Sequence, residues 1–355
     1  MKALSRTDGN SRPPTLSDVA RKAKVSLSTA SRTLNGNSDL VRGDLRERVH
    51  AAARELGYVP NAHAQSLARA TTSTIGLIVH DIADPYFSAI ARGAEQVATE
   101  QGLLVMIGSD FADPERELEY LESLAAQRVR GIILCGSGFE SKTIRARALA
   151  QLEAYARFGG RVAAISEHRM PVDTVRLDNR GGARELTRYL IEQGHRELAV
   201  VTGPSGLTTW RDRLAGVRAA AEAAGIEVES ACVHEIAPNR DAAYEATSAI
   251  LAGGHRPTAV IALTDVMALG VLAALRDRGV EVPAEISVVG FDDIDLARDV
   301  TPPLTTVGVP MEELGRRAVE MVVAPAASKP RRVQVETELV VRESVAPRAL
   351  TRLGP

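Results

Sequence analysis

The sequence predicts an α/β protein in two parts: a small N-terminal module of three helices, then a larger body of two halves built on doubly wound parallel sheets. Three observations predict it. Over residues 15–57, apolar residues recur at intervals of three and four in three short runs separated by turn residues. From Ile75 onward, short apolar runs alternate with longer helical patterns, as strands alternate with crossover helices. Charge is also split: residues 1–74 carry 12 Lys and Arg against 6 Asp and Glu, while the whole chain sums to −2. A basic head of +6 is therefore joined to an acidic body of −8, an asymmetry that favours a small polyanion-binding module on a larger domain.

A chain of 355 residues exceeds one domain of ordinary size. With 45% hydrophobic and 25% charged residues, it falls outside the disordered, collagenous and disulfide-scaffold classes. Aromatics make up 3%, so Ala, Val, Leu and Ile must fill the interior. No apolar run approaches the roughly 18 residues of a membrane span, and residues 1–15 have no apolar signal core, so a cytoplasmic protein is expected. Cys135 and Cys232 lie far apart with no metal-like spacing, which suits a reducing compartment.

In the head, Thr15 and Asp18 have capping-box spacing, and Leu16, Val19, Ala20 and Ala23 follow on one helical face. After Lys24 and Val25, Ser26 caps a second helix that runs from Leu27 to about Leu34. Its Ala30 and Leu34 turn inward, while Leu27, Ser28, Ser31 and Arg32 face out. Asn35-Gly36-Asn37 stops it. A third helix aligns Leu45, Val49, Ala52, Ala53 and Leu56, with Gly57 placed for a left-handed C-terminal cap. Two short helices joined by a tight turn, with a third behind them, form a helix-turn-helix, whose second helix enters the major groove of DNA. A purely structural three-helix bundle has the same periodicity. The outward chemistry suits DNA: Arg32 can pair with guanine, Ser28 with several bases and Leu27 with a thymine methyl, while Thr29 and Ser31 suit phosphate oxygens.

Residues 15–36, TLSDVARKAKVSLSTASRTLNG, and residues 56–61, LGYVPN, closely resemble the N-terminal module of the LacI/GalR (lactose-repressor) family, and the likeness continues to about Val345. The resemblance implies DNA contacts at Leu27, Ser28, Thr29, Ser31, Arg32 and Asn35. Lys24 departs from the family pattern, which usually has glycine at that turn; a non-glycine residue held at positive φ there costs about 1 kcal/mol. Residues 61–69 are good helix formers, too few for a helix stable alone. The segment resembles the family's hinge helix, which folds when two subunits sit side by side in the minor groove. By that resemblance Asn61 and Ala64 touch DNA and Leu67 wedges into the central base step. The alternative is a plain linker.

In the body, runs at 75–79, 103–107, 131–134, 162–165, 198–201, 259–263 and 286–289 read as buried parallel strands. Helical patterns separate them at 86–101, 114–127, 144–158, 181–193, 211–224, 241–251 and 266–278. The arrangement resembles the two-lobed, periplasmic-binding-protein-like core of the same family, with crossings between lobes near Leu177, Thr306 and Val333. The expected organisation is a tail at 1–14, the helix-turn-helix domain at 15–60, a hinge at 61–74, the effector-binding and dimerisation core at 75–347 and a tail at 348–355. Lobe 1 would take about 75–177 and 307–333, and lobe 2 about 178–306 and 334–347.

Open parallel sheets bind ligands beyond the carboxyl ends of their strands, and polar clusters stand there: Asp84-Pro-Tyr-Phe87, Leu177-Asp-Asn179, Thr208-Thr-Trp-Arg-Asp-Arg213 before a helix, and Gly290-Phe-Asp-Asp293. An aromatic face covers a sugar ring or base, while carboxylates and a guanidinium take hydroxyls. By the resemblance, Tyr86 and Phe87 are walls, Asp178 accepts from a hydroxyl, Thr209 donates, and Arg213 with Asp292 forms a central clamp. Asp293 fits either the site or a helix cap. Ser166, Leu207, Pro238 and Thr264 depart from residues frequent in the family, which removes a carboxylate, an amide and a stacking surface. Trp210 either replaces that surface or packs at the helix start.

No GxSxG, HExxH, CxxC or GxxxxGK motif occurs, so no catalytic residue, metal or cofactor is expected. The function expected is a ligand-controlled transcriptional regulator, a repressor binding a palindromic operator as a homodimer, with a sugar or related metabolite in the cleft and no membrane partner. A solute-binding protein of the same core fold would need a secretion signal and no basic head. A sugar-processing enzyme is suggested only by the polarity of the cleft.

Overall fold

The computed structural model describes residues 12–34, 41–59, 72–254 and 256–348. The chain divides into two compact units, Met1–Thr72 and Ser73–Pro355.

The first unit contains α1 (Leu16–Ala23), α2 (Leu27–Leu34) and α3 (Gly43–Leu56). The Asp18 carboxylate accepts from both the amide (2.9 Å) and the hydroxyl (2.6 Å) of Thr15, which closes the start of α1 and holds the Asp18 carboxyl below the usual carboxylate range, chiefly through the hydroxyl bond. Lys24 ends α1 at φ 53°, the left-handed conformation that its place in the turn implied. Ser26 Oγ accepts from the Thr29 amide at 3.0 Å and caps α2. Gly57 ends α3 at φ 62°. Val19, Ala20, Ala23, Ala30, Val49, Ala52 and Ala53 form the core, with Leu16, Leu34, Leu56 and Tyr58 packed on its edge. The sequence reading missed one brace: Arg48 of α3 donates to the carbonyls of Ala23 (2.5 Å) and Lys24 (3.3 Å), taking up acceptors left free where α1 ends.

The second unit has two parallel sheets. The strands β1 (Thr74–Val79), β2 (Leu104–Ser109), β3 (Gly131–Cys135), β4 (Arg161–Ile165) and β5 (Asp173–Leu177) join one sheet, and a late strand, β11 (Arg332–Val335), pairs with β5 at its edge. The helices α4 (Pro85–Glu100), α5 (Pro114–Ala126) and α6 (Lys142–Arg157) connect them. Strand alternation sorts the side chains: Ile75, Leu77, Val79, Ile133 and Ile165 join the main core, whereas Ile78, Ile132, Leu134 and Ala164 meet Leu118, Leu121 and Leu152 of α5 and α6 on the other face. Each fully buried Ile or Leu contributes roughly 1.5–3 kcal/mol.

The second sheet contains β6 (Leu198–Thr202), β7 (Val233–Glu235), β8 (Ala259–Ala262) and β9 (Ser287–Val289), in the order β7-β6-β8-β9. Its helices are α7 (Asn179–Glu192), α8 (Thr208–Ala223), α9 (Arg240–Ala252) and α10 (Asp265–Asp277). After the short α11 (Leu296–Asp299), β10 (Thr306–Gly308) pairs antiparallel with β12 (Glu338–Val340), and α12 (Met311–Val323) packs on α4. The chain thus passes between the two lobes after Leu177, after Gly308 and after Val335. Glycines let the paired helices touch: a Cβ at Gly93 would lie 2.0 Å from the Glu312 carbonyl oxygen, and one at Gly315 equally close to that of Ile90.

Several sequence expectations need correction. The run at 103–107 does not form a buried strand: β2 is a sheet edge, with Leu104 exposed at 73% and Met106 and Ile107 also exposed, and only Leu103 before it is buried. Thr208 to Arg213 do not precede a helix but form the first turns of α8, three residues earlier than the apolar pattern starts; Thr208 turns its hydroxyl to the Glu167 carbonyl of the other lobe, and Arg213 is buried in its own. Asp293 caps no helix; its carboxylate meets Arg342 at 2.7 Å. Asn35, Asn61, Ala64 and Leu67, and with them the expected hinge helix, lie outside the described residues, as do 1–11 and 349–355 of the expected tails.

Candidate functional site

The outward face of α2 is polar and accessible. Leu27 is 51% exposed, Ser28 and Arg32 are exposed, and Thr29 and Ser31 are half-buried. Thr33 and Ala30 turn the other way into the core, and Thr33 satisfies its hydroxyl on the Thr29 carbonyl at 2.9 Å. The structure therefore brings Leu27, Ser28 and Arg32 onto one surface, the surface that a major-groove reader must present.

In the second unit, Arg213 of α8 is the centre of the cleft. Its side chain is 3% exposed. Nε donates to Asn179 Oδ1 at 2.9 Å, Nη1 to the Leu263 carbonyl at 2.5 Å and Nη2 to Asp292 Oδ1 at 2.9 Å, while the guanidinium lies 3.7 Å from the centre of the Phe291 ring. Asn179 follows β5, Leu263 follows β8, and Phe291 and Asp292 follow β9, so the clamp is assembled at the carboxyl ends of strands. Burial pushes the Asp292 carboxyl up to about 7, against the opposing pull of Arg213. Asp292 also sits at φ 116°, a backbone conformation unusual for a residue with a side chain. Gly290 is required beside it, because a Cβ there would fall 2.1 Å from Asp265 Oδ1. Asp265 is itself buried and holds the loop, accepting from Thr306 Oγ1 (2.6 Å) and from the Ile294 amide (2.9 Å).

The facing wall comes from lobe 1. Asp84 caps α4 by accepting from the Tyr86 amide at 2.9 Å, and Tyr86 and Phe87 are buried in an edge-to-face pair with centroids 5.0 Å apart. Burial raises the Asp84 carboxyl and the Tyr86 hydroxyl above their ordinary values, so Tyr86 keeps its proton and can donate. Phe87 is braced by His80, 5.6 Å away at 76°. His80 Nε2 accepts from the Ser137 amide at 2.9 Å, so Nδ1 carries the proton given to Asp110 Oδ1 at 2.8 Å.

The two walls touch through backbone and hydroxyl. The Gly138 amide donates to Thr208 Oγ1 (3.0 Å), Thr208 Oγ1 donates to the Glu167 carbonyl (2.7 Å), and the Thr208 amide donates to the Gly138 carbonyl (2.9 Å). The Glu140 carboxylate pairs with Arg211 at the rim.

Of the residues expected in the cleft, Arg213 and Asp292 are joined directly, and Tyr86 and Phe87 form one wall. Asp178 is engaged elsewhere: Oδ1 accepts from the Gly181 amide at 2.8 Å and caps α7, which leaves Oδ2 as its remaining acceptor. Thr209 is half-buried, and it is its neighbour Thr208 whose amide and hydroxyl bond to the other lobe. Trp210 is buried against Gly203, and its Nε1 finds no partner among the described residues. Asn179, Phe291, Asp265 and His80 were missed as functional side chains. Asn179 and Phe291 stood inside quoted motifs; Asp265 and His80 had no distinguishing spacing.

The pattern for the lacI family of bacterial regulatory proteins matches residues 15–61, and that for the periplasmic binding protein-like domain matches residues 187–345. The chain is 34% identical over 316 residues to the HTH-type transcriptional regulator GalR of Escherichia coli (strain K12), covering 89% of this chain and 90% of that protein. It superposes on the lac repressor dimer bound to operator and the anti-inducer ONPF with a TM-score of 0.82, at 29% identity, over 94% of this chain and 100% of that one. It also matches the transcriptional regulator CelR in complex with cellobiose, with a TM-score of 0.69 and 32% identity over 93% and 99% of the two chains. With an exposed α2 face in the head, a clamp at the strand ends of the body, and likeness along nearly the whole length, the chain belongs to the lacI family of bacterial regulatory proteins.

Proposed function

We propose that this protein is a cytoplasmic, non-enzymatic transcriptional repressor that binds a palindromic operator as a homodimer and is controlled by a sugar or related small metabolite in the cleft. The observation that carries this reading is the pairing of the exposed Leu27, Ser28 and Arg32 face on a basic head with the buried Arg213–Asp292 clamp in an acidic body. Among the described residues no helix is long and apolar enough to cross a membrane. The relatives named above are a transcriptional regulator, a repressor bound to operator and a regulator bound to cellobiose.

Arg32, Ser28 and Leu27 read base edges, Asn35 adds a further DNA contact, and Thr29 and Ser31 hold phosphates. Asn61, Ala64 and Leu67 engage the minor groove. In the cleft, Tyr86 and Phe87 cover the apolar side of the ligand, Asp178 Oδ2 and Thr209 take hydroxyls, and Arg213 offers the two of its five N–H donors not given to Asn179, Leu263 and Asp292. The second copy docks on the exposed apolar edge of lobe 1, where Leu104, Met106, Ile107 and Phe111 face solvent in the single chain. Ligand alters the Thr208–Gly138 contact between lobes and so biases the order of the hinge segments and the DNA affinity; induction and corepression are the two signs of that coupling.

Selection from random oligonucleotides, with and without metabolite extract, tests the reading. A palindromic site whose recovery changes with extract is expected. Absence of any site preference under both conditions overturns it.

A further inference from the structure

A second concavity, of about 630 Å³, is lined by residues of both lobes of the body, four of them arginines in a part of the chain that is acidic overall. Arg169, Arg176 and Arg332 of lobe 1 and Arg211 of lobe 2 line it, with Glu167 and Asp212 as the lining carboxylates. The remainder of the chain after residue 74 carries a net −8, so four guanidiniums gathered in one basin are not its average surface. Two of them are already engaged: Arg211 meets Glu140 and Asp212, and Arg169 meets Glu140 at 3.1 Å. The other two share one long ion pair. Arg176 and Arg332 both face the single carboxylate of Glu167 at 3.7 Å, beyond hydrogen-bond reach, and neither guanidinium donates a hydrogen bond among the described residues. They are set side by side by strand pairing, since Arg332 is in register with Thr174, two residues from Arg176 on the same face of the sheet.

We propose that this basin is a second small-molecule site, which takes a phosphate ester. Guanidinium forks match phosphate oxygens in paired, charge-assisted hydrogen bonds, and Arg176 and Arg332 hold unspent donors for them. Met170 and Pro171 supply an apolar wall for the carbon portion, and the volume lies in the range of small-molecule pockets. Arg211 and Asp212 belong to the opposite lobe, so a bound ester bridges the lobes and favours the arrangement in which the walls meet. The site is separate from the Arg213 clamp and does not rest on the identity of the ligand held there.

The test is a calorimetric titration of the full-length protein with glycerol 3-phosphate at fixed ionic strength. One saturable site per chain is expected at the basin. Arg176→Gln combined with Arg332→Gln should weaken it by roughly tenfold or more, the scale of lost charge-assisted pairs. Glu167→Gln removes the competing charge, keeps an oxygen for the Arg169 amide it now serves at 2.8 Å, and should tighten binding several-fold. Absence of saturable binding, an unchanged affinity in the double-arginine variant (the probe then sits elsewhere, as on the basic head), or weaker binding by Glu167→Gln overturns the proposal.

Discussion

The head and the cleft use arginine in opposite ways. Arg32 stands exposed at the end of α2, with no acceptor among the described residues. Arg213 is buried and gives three hydrogen bonds to its own lobe. An exposed guanidinium costs the fold nothing and keeps its donors for a partner, so it decides specificity without deciding stability. A buried one is first a structural part, and it recognises a ligand only by being fixed in advance. Their carboxylates follow the same division: Asp18 in the head is held below the ordinary range by hydrogen bonds, whereas Asp292 in the cleft is pushed above it by burial.

The largest expected effect breaks the contrast from the buried side. Arg213→Ala leaves Asp292 without its partner in a buried site, and removing one member of such a pair costs about 3–5 kcal/mol. Thermal denaturation should show the loss in the body, and ligand response should vanish while the head still binds DNA. Retained stability and response would mean that the clamp is incidental.

Second is the pH dependence that Asp292 imposes. Its folded value of about 7 lies above the ordinary 3.8, so the folded protein retains a proton that the unfolded chain releases. Stability from this group therefore falls as pH rises from about 4 to about 7. Glu117, also pushed up to about 7 by burial, acts in the same direction, and His168, pushed down to about 4, acts against it. Unfolding curves of the wild type and Asp292→Asn, subtracted at each pH, isolate the Asp292 share. A difference with no slope in that window would refute the assignment.

Two smaller effects sharpen the exposed side. Arg32→Ala should relax base preference at one position per half-site by about 1–3 kcal/mol, read by repeating the oligonucleotide selection, with the melting temperature unchanged. Ser26→Ala removes the cap of α2 and should cost about 1 kcal/mol, seen as faster hydrogen exchange of the α2 amides in the full-length protein.

The same contrast explains what the sequence made legible. Local rules govern the head: its caps at Thr15 and Ser26 and its stop at Gly57 were readable from spacing, whereas the left-handed turn at Lys24 came from the family likeness. In the body, apolar runs located most of the central strands, but β5, β7 and β10 to β12 were not readable as strands: Asp173 and Arg176 break the apolar run of β5, and short or edge strands such as Arg332–Val335 mix charged and apolar residues. The Arg213–Asp292 pair is 79 residues apart and came from family likeness, not from periodicity. Asp178 looked free for a ligand because a capping bond to Gly181 leaves no mark beyond a spacing of three. His80 was invisible: nothing local announces a bond to an amide 57 residues away.

The three passages between lobes bear on synthesis. Neither lobe is a continuous stretch of chain, since β11 joins β5 across 158 residues and α12 seals the face begun by α4. While the ribosome is still adding residues near 300, the first sheet lacks its outer strand and one covering helix, and its apolar face stays open to chaperones or to other nascent chains. The head, complete by Leu56, can finish folding long before. A premature stop beyond the head but short of Arg332 would therefore release a folded DNA-binding module attached to an unfinished body.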